Sequence, residues 1–358
     1  MPALQHERLR EVVAAICHRA GGAAGDAHIV ADHLVQANLY GHDSHGVGML
    51  PRYVEAIAAG MLDPSAHAEL VKDDGAILVV DGRRGFGQVV AREAILQGIE
   101  RARRTGVALV ALRNAFHIGR IGTYGEICAE AGMISVHFVN VIGHRPLVAP
   151  FGGADARYPT NPFCCALPGA DGRPPVVLDF ATSIVAMGKV RVALNCGDAL
   201  EEGLVIDHAG RPTTDPAAMF QEPTGALVGM GQHKGSGLAL ICELLAGVLT
   251  GGGTIRPETP RDGSVVNNML TFIVEPSTLV TADWLRREIA AMVDYVKASP
   301  PADPAHPVLV AGEPERLTAE ARRRAGILID PVTWEQILVA GESVGIPRAT
   351  LLTDTGLT

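Results

Sequence analysis

Residues 76–90 read Ala-Ile-Leu-Val-Val-Asp-Gly-Arg-Arg-Gly-Phe-Gly-Gln-Val-Val. A β-branched apolar run meets a glycine-rich turn, and helical spacing then continues from Val89 to Arg104. In a doubly wound parallel sheet this is where a dinucleotide fingerprint sits. The pattern Gly85-Phe-Gly87-x-x-Val90 breaks that fingerprint at its third position, where Val replaces Gly or Ala. The next strand, residues 107–112, runs into Arg113 and not into an acid that could bind a ribose. A tight strand-to-helix turn accounts for these glycines without a phosphate. The centre of the chain therefore reads as α/β but not as a Rossmann domain.

Working outward, residues 122–131 are helical and 134–141 strand-like. A proline- and glycine-rich passage fills 143–175, and 176–179 is a short apolar run. Residues 181–194 read as a helix. Residues 236–250 are so nearly all apolar that a buried helix is expected, stopped by Gly251, Gly252 and Gly253. Residues 268–274 are strand-like. Upstream, a helix over 5–20 stops at Gly21 and Gly22, and a second, capped by Asp26, ends near Gly41. A short third helix carries Pro51 in its first turn and ends at Gly60. Helices return at 282–297, 317–325 and 332–343. The expected architecture is a mixed α/β domain over 71–279 and a discontinuous helical domain made of 1–70 plus 280–358.

Composition narrows the function. The 358 residues are 47% hydrophobic and only 4% aromatic, with a net charge of -9 and no basic tract. Nucleic acid is a poor partner for such a chain. The longest apolar stretch, 238–249, is interrupted by Glu243, so no membrane span is expected. Residues 1–10 are polar and lack the apolar core of a signal peptide. The six cysteines show no C-x-x-C spacing, which points away from a zinc or redox motif and towards reduced thiols in a cytoplasmic protein.

The chemistry concentrates in residues 43–53, Asp-Ser-His-Gly-Val-Gly-Met-Leu-Pro-Arg-Tyr. A hydroxyl, an imidazole, a guanidinium and a phenol stand together, a set that suits protonating a carbonyl and gripping a carboxylate. His45 competes for the proton-transfer role with His117, which follows a strand end. Ser44 beside His45 suggests a hydrolase dyad only superficially, because adjacent side chains rarely face each other and no G-x-S-x-G elbow occurs. Asp179 to Ser183 reads as a strand end opening a helix, with backbone N–H groups free for an anion. His233 and Lys234 with Gly235 and Gly237 precede the apolar helix and form a second phosphate-cradle candidate. Gly312 to Glu315 reads as a turn whose acids could accept from ribose hydroxyls.

Nine segments in order, DSHGVGMLPRYV, FHIGRIGTYGE, LVAPFGG, TNPF, LDFATS, GRPTTDP, HKGSGLAL, NNML and GEPE, resemble the malate/L-lactate dehydrogenase family of the second type. That family includes ureidoglycolate, sulfolactate and diketogulonate enzymes, and the resemblance covers nearly the whole chain. It implies a non-Rossmann cofactor domain on a mixed sheet, NAD or NADP as cofactor, a small 2-hydroxy or 2-oxo acid as substrate, and a homodimer with sites near the subunit interface. By the same resemblance His45 or His117 is the acid/base, and Ser44 and Tyr53 lie on the substrate side. Cofactor contacts are implied for Arg120, Ile121 and Gly122, for Asp179, Phe180, Ala181, Thr182 and Ser183, and for His233, Lys234, Asn267, Asn268, Gly312, Glu313, Pro314 and Glu315. His45 is implied to touch the cofactor as well.

Three positions depart from the family pattern. Met49 stands where malate- and ureidoglycolate-type members often carry a carboxylate-holding arginine, so Arg52 or Arg145 is expected to supply the guanidinium. Tyr158-Pro159 precedes TNP, and Ala311 precedes GEPE in place of proline. A 2-hydroxyacid dehydrogenase is the leading expectation. A cyclic-imine-acid reductase and a silent nucleotide-binding homologue are its competitors.

Overall fold

A computed structural model describes residues 3–356. The chain opens with a two-residue strand β1 (Ala3–Leu4) and helices α1 (His6–Arg19) and α2 (Ala24–Leu39). Leu9, Val12, Val13, Ile16 and Cys17 bury one stripe of α1. The N-cap of α2 is Ala23, so Asp26 is not the cap. It lies in the first turn, where a carboxylate favours the positive end of the helix. Two short 3-10 turns, Asp43–His45 and Val47–Met49, lead into α3 (Leu50–Ala58), with Pro51 in its first turn.

The centre runs through β2 (Glu69–Asp74), β3 (Ile77–Asp81), α4 (Gly87–Thr105), β4 (Val107–Phe116), α5 (Gly122–Glu130), β5 (Ile134–Ile142), β6 (Phe163–Leu167) and β7 (Val176–Phe180). Then come α6 (Met187–Cys196), the two-residue strands β8 (Val205–Ile206), β9 (Pro212–Thr213) and β10 (Ala226–Leu227), α7 (His233–Val248) and β11 (Val266–Val274). The chain closes with α8 (Ala282–Lys297), α9 (Glu313–Ala325), β12 (Ile327–Leu328), α10 (Pro331–Ser343) and α11 (Arg348–Thr355).

The main sheet has seven strands in the order β2-β3-β4-β11-β5-β6-β7. Only β3 and β4 run parallel, joined through α4, and every other neighbouring pair is antiparallel. This is the mixed, non-Rossmann sheet that the broken fingerprint implies. The glycines of residues 85–87 serve packing. A Cβ on Gly87 would come within 2.2 Å of the Phe116 carbonyl oxygen and 2.3 Å of that of His117. A Cβ on Gly85 would come within 2.4 Å of the Ala66 carbonyl. The start of α4 can sit against the end of β4 only because side chains are missing there.

One buried cluster draws on both ends of the chain: Leu9, Ile16, Leu34, Leu50 and Tyr53 pack with Ile327, Trp334, Ile337 and Leu351. Strand β1 pairs with β12, Ala3 opposite Leu328. Phe86, Val89 and Phe116 join this cluster from the α4 start and the β4 end. A second cluster lies between the sheet and helices α4 and α5.

Helix α7 departs from the expectation of full burial. Gly235, Ala239, Cys242, Ala246 and Gly247 face inward, whereas Leu240, Ile241, Leu244 and Val248, with Leu249 just beyond, are 42–58% exposed. Small residues let the helix lie close on β5 and β11, which turns the large apolar ones outward. Among the described residues no helix is long and apolar enough to cross a membrane.

The Gly87 geometry gives a direct test. Gly87→Ala should destabilise the protein by about 3 kcal/mol through overpacking, read as a lower midpoint in urea unfolding. A midpoint equal to wild type would show that the turn yields freely.

Candidate active site

Residues 43–53 are shaped by one asparagine. Asn38 on α2 accepts from the Val47 backbone N–H at 2.8 Å and donates to Asp43 at 2.6 Å. Arg322 of α9 grips the same Asp43 carboxylate with two bonds, 2.6 and 2.9 Å. A Cβ on Gly46 would lie 2.2 Å from the Asn38 amide oxygen, so glycine is required at this crossing. The segment is thereby fixed, with His45 half-buried at its turn. Ser44 and His45 do face each other, contrary to the sequence expectation: Ser44 Oγ is 2.9 Å from His45 Nδ1. The 3-10 turn folds the serine back over its neighbour. Gly188 at the start of α6 closes over Ser44, with room for no Cβ.

His117 comes from the other side. The Ile118 N–H donates to Asn267 Oδ1 at 3.0 Å and holds the loop that leaves β4. Tyr53, expected on the substrate side, is instead buried behind His117, its hydroxyl 2.6 Å from Nδ1. Gln88 donates to the same hydroxyl at 2.6 Å. With Gln88 as donor, the phenol proton goes to Nδ1, which leaves the His117 proton on Nε2. The His45 and His117 rings stack with centroids 5.5 Å apart and planes 17° apart. Burial pushes both imidazoles down, His45 to about 4 and His117 well below the ordinary value, and each is further lowered by neighbouring histidines. Burial likewise raises the Tyr53 phenol. The result is two neutral rings whose Nδ1 atoms are occupied.

Several of the residues expected to contact a cofactor are bonded within the fold. The Arg120 guanidinium is buried, bonded twice to Glu126 at 3.0 Å, 3.6 Å from Asp179 and stacked 4.5 Å over Tyr40. Burial opposes its charge, yet Glu126 and Asp179 hold its pKa above the ordinary value. Its backbone N–H donates to buried His33 at 2.9 Å. Ile121 is buried, and the Gly122 N–H is taken by Asp179 at 2.8 Å. Asn267 and Asn268 are 4% and 0% exposed and donate to Asn140 at 3.0 Å. Asn268 accepts from the Asn114 N–H at 3.0 Å.

Residues 179–183 do not open a helix, since α6 starts only at Met187. The Thr182 backbone and hydroxyl both donate to the Thr160 carbonyl at 2.9 Å, and the Ser183 hydroxyl donates to Val185 at 2.8 Å. Thr182 accepts from the Met230 N–H at 2.9 Å, and Ser183 bridges Gly229. These bonds lay Asp179, Phe180 and Ala181 beside the turn that leads into α7, whose first residues are His233 and Lys234. Both are exposed, and Lys234 is in no ion pair among the described residues. Residues 312–315 start α9 in place of a free turn: Gly312 takes the left-handed φ of 88°, and Pro314 follows Glu313 in the first turn. Glu313 accepts from Val310 N–H at 2.9 Å and pairs with Lys297. Glu315 lies 3.9 Å from His42, and its Oε2 is buried without a hydrogen-bond partner.

Of the candidate guanidinium groups, Arg145 is committed to Thr224 at 2.7 Å and the Met219 carbonyl at 2.6 Å. Arg52 donates once, to the Gly263 carbonyl at 2.7 Å. Met49 packs against the helical core. Gln88 and His33 give no signal in the sequence, because each sits in an ordinary helical pattern. Among the described residues no group of three or more metal-binding side chains gathers.

Comparison with known proteins assigns the chain to a family. The family profile described as malate/L-lactate dehydrogenase matches residues 4–338. The chain belongs to that family. It is 44% identical to hydroxycarboxylate dehydrogenase B of Escherichia coli K12, over 96% of this chain and 95% of that one. A solved malate/lactate dehydrogenase structure from E. coli superposes with a TM-score of 0.94 at 43% identity, covering 99% of this chain and 98% of the other. The delta1-piperideine-2-carboxylate reductase of Pseudomonas syringae pvar. tomato is more distant, with a TM-score of 0.79 and 27% identity over 95% and 100% of the two chains.

Two tests follow from the buried network. Tyr53→Phe strips His117 and Gln88 of a buried partner and should cost about 1–3 kcal/mol in urea unfolding. Burial lowers His33 and His137 to about 3 from 6.5. Below pH 6.5 the unfolded chain binds protons that the folded one refuses, so these rings take stability away as pH falls from 6.5 towards 3. Unfolding midpoints measured from pH 8 to pH 4 should be level above about pH 7 and drop below it. His137→Gln should make the drop shallower, and an unchanged slope would rule this histidine out.

Proposed function

We propose that the protein is an NAD(P)-dependent oxidoreductase that interconverts a 2-hydroxy acid and a 2-oxo acid. The observation that carries this reading is the stacked pair of neutral histidines, each with Nδ1 occupied, beside a guanidinium that is free of any carboxylate. The proposed division of labour has residues 71–279 bind most of the cofactor and the helical ends, 1–70 plus 280–358, cover it and add Glu315. The cofactor would be held by chain elements whose donors and acceptors remain open. Lys234, at the positive end of α7, suits a pyrophosphate. The orphaned Glu315 Oε2 suits a ribose hydroxyl. Phe180 and Ala181, half-exposed beside them, complete the wall.

When bound, a nicotinamide would supply or accept the hydride at C2 of the acid, and the residues of this chain orient the acid for it. Arg52 holds the substrate carboxylate and so fixes C2. His117 handles the proton. In the free protein it is neutral, and an incoming carboxylate favours its protonated form. The Tyr53 hydroxyl serves both states, because it can donate to neutral Nδ1 or accept from the protonated ring and turn its own proton towards the His117 carbonyl, 3.5 Å away. Reduction then passes the Nε2 proton to the carbonyl oxygen and returns His117 to its neutral form. His45 stacks on His117 and would be a wall of the nicotinamide pocket. The outward apolar face of α7 supports assembly as a homodimer.

A spectrophotometric panel of 2-oxo acids and cyclic imine acids, run with NADH and NADPH in parallel, tests the reading. Turnover on at least one 2-oxo acid is expected, and His117→Asn should reduce kcat by about 10²–10⁴-fold. Near-normal kcat in that variant would move the proton to His45. Turnover on cyclic imines alone, or cofactor binding with no turnover at all, would overturn the assignment.

A further inference from the structure

Gln88 lies in the first turn of α4 and is 1% exposed, yet its amide oxygen is buried without a hydrogen-bond partner. An orphaned acceptor in a dry interior costs stability, so it calls for a reason. A methionine has nearly the same length and would avoid that cost, so packing alone does not require an amide here. What the amide gains lies on its other side. Its nitrogen donates to the Tyr53 hydroxyl at 2.6 Å, and that hydroxyl is 2.6 Å from His117 Nδ1. The placement is tight. The preceding residue, Gly87, lies against the His117 carbonyl, and a Cβ on Gly119 would come within 3.3 Å of the Gln88 nitrogen.

These three groups form a chain with a direction. The phenol oxygen accepts from Gln88, which leaves the phenol proton for Nδ1. A hydroxyl that accepts one hydrogen bond becomes a stronger donor and a weaker second acceptor. Burial raises the Tyr53 phenol, and the Gln88 bond is the largest influence in the opposite sense. In the reverse arrangement Nδ1–H would donate to the phenol. Two donors would then crowd one oxygen, and the phenol proton would be left with a carbonyl 3.5 Å away. The amide of Gln88 therefore works against a proton on Nδ1. A charged imidazole carries protons on both nitrogens, so Gln88 works against the charged ring as well. Burial does the same, followed by the stacked His45, by His33 of α2, by Arg52 of α3 and by His144 of the loop after β5. Gln88 differs from these because it acts through the bond to Nδ1.

We propose that Gln88 is a positioning residue for proton transfer: through Tyr53 it keeps the proton of neutral His117 on Nε2 and makes the charged ring readier to release that proton to the substrate carbonyl. This rests on the functional reading above.

The test is Gln88→Met, with the His117 ring followed by NMR from pH 8 to pH 4 and its signals identified by their loss in His117→Asn. The orphaned oxygen is gone from this variant, so its midpoint in urea should equal or exceed that of wild type. Protonation of His117 should set in at a pH roughly one unit higher, the scale of one lost neutral hydrogen bond. The alkaline limb of kcat for 2-oxo acid reduction, where the charged ring is lost, should move up by a similar amount with KM little changed. In a Tyr53→Phe background the same substitution should leave the His117 titration where Tyr53→Phe alone puts it. A glutamine that only supports the fold would lower the midpoint and move neither the titration nor the kcat profile. A Gln88→Met protein that unfolds earlier than wild type, an unmoved His117 titration, or an equal shift without the phenol would overturn the proposal. If wild type reduces no 2-oxo acid, the functional reading falls instead, and the ring titration, which needs no turnover, still judges Gln88.

Discussion

A phenol and an imidazole buried together must satisfy each other or lose the solvation they gave up. The bond between Tyr53 and His117 meets that requirement, and the site is arranged around it. Three elements must meet for it to form. Helix α3 brings Tyr53, the first turn of α4 brings Gln88, and the loop after β4 brings His117. Their approach is possible because Gly87 has no side chain. Phe86 and Phe116 then pack against Tyr53 with ring centroids 6.4 and 5.6 Å away, which fixes the phenol in direction as well as position. A ring held this way keeps one nitrogen committed to the interior and leaves the other for chemistry.

The sheet carries a second polar seam that reaches the same loop. Glu243 of α7 is buried, with Asn140 and the Ile255 N–H on one carboxylate oxygen and Asn161 on the other. Asn140 accepts in turn from both Asn268 and Asn267, and Asn267 holds Ile118. Burial raises the Glu243 pKa, while the amide donors favour its charged form. Connected hydrogen bonds in a dry interior act as a unit. The helix that starts with His233 and Lys234 and the loop that carries His117 therefore belong to one rigid assembly.

How much of this could be read from residues alone depends on where each signal resides. Patterning locates α1, α4, α5, β5 and β11 within a few residues, because each helix buries a stripe of apolar residues and the two central strands are rich in apolar and β-branched ones. It misses β2, whose residues are all exposed, and β6, which lies in a proline- and glycine-rich passage. The broken fingerprint at Gly85 and Gly87 gives the correct fold class because the sheet is almost wholly antiparallel. Motif order brings His45, His117, Asp179 and Lys234 to attention. Their division into scaffold and site is hidden, since it depends on partners from 57 to 154 residues away, as with Gly122 on Asp179 and Asn114 on Asn268. Gln88 gives no local signal at all; its meaning comes from the Tyr53 hydroxyl that α3 brings to it.

The hold of Arg322 on Asp43 has a consequence for how the protein is made. A ribosome completes residues 43–53 early, but the guanidinium that locks them is 279 positions further along the chain. Trp334, Ile337 and Leu351, which close the core around Leu50 and Tyr53, come later still. Domains commonly fold as they emerge, N-terminal part first. Here the first chemistry-bearing segment stays without its clamp until almost the whole chain has left the tunnel. The nascent N-terminal helices must wait with an apolar face uncovered, and the segment that carries His45 is locked in place among the last steps of synthesis.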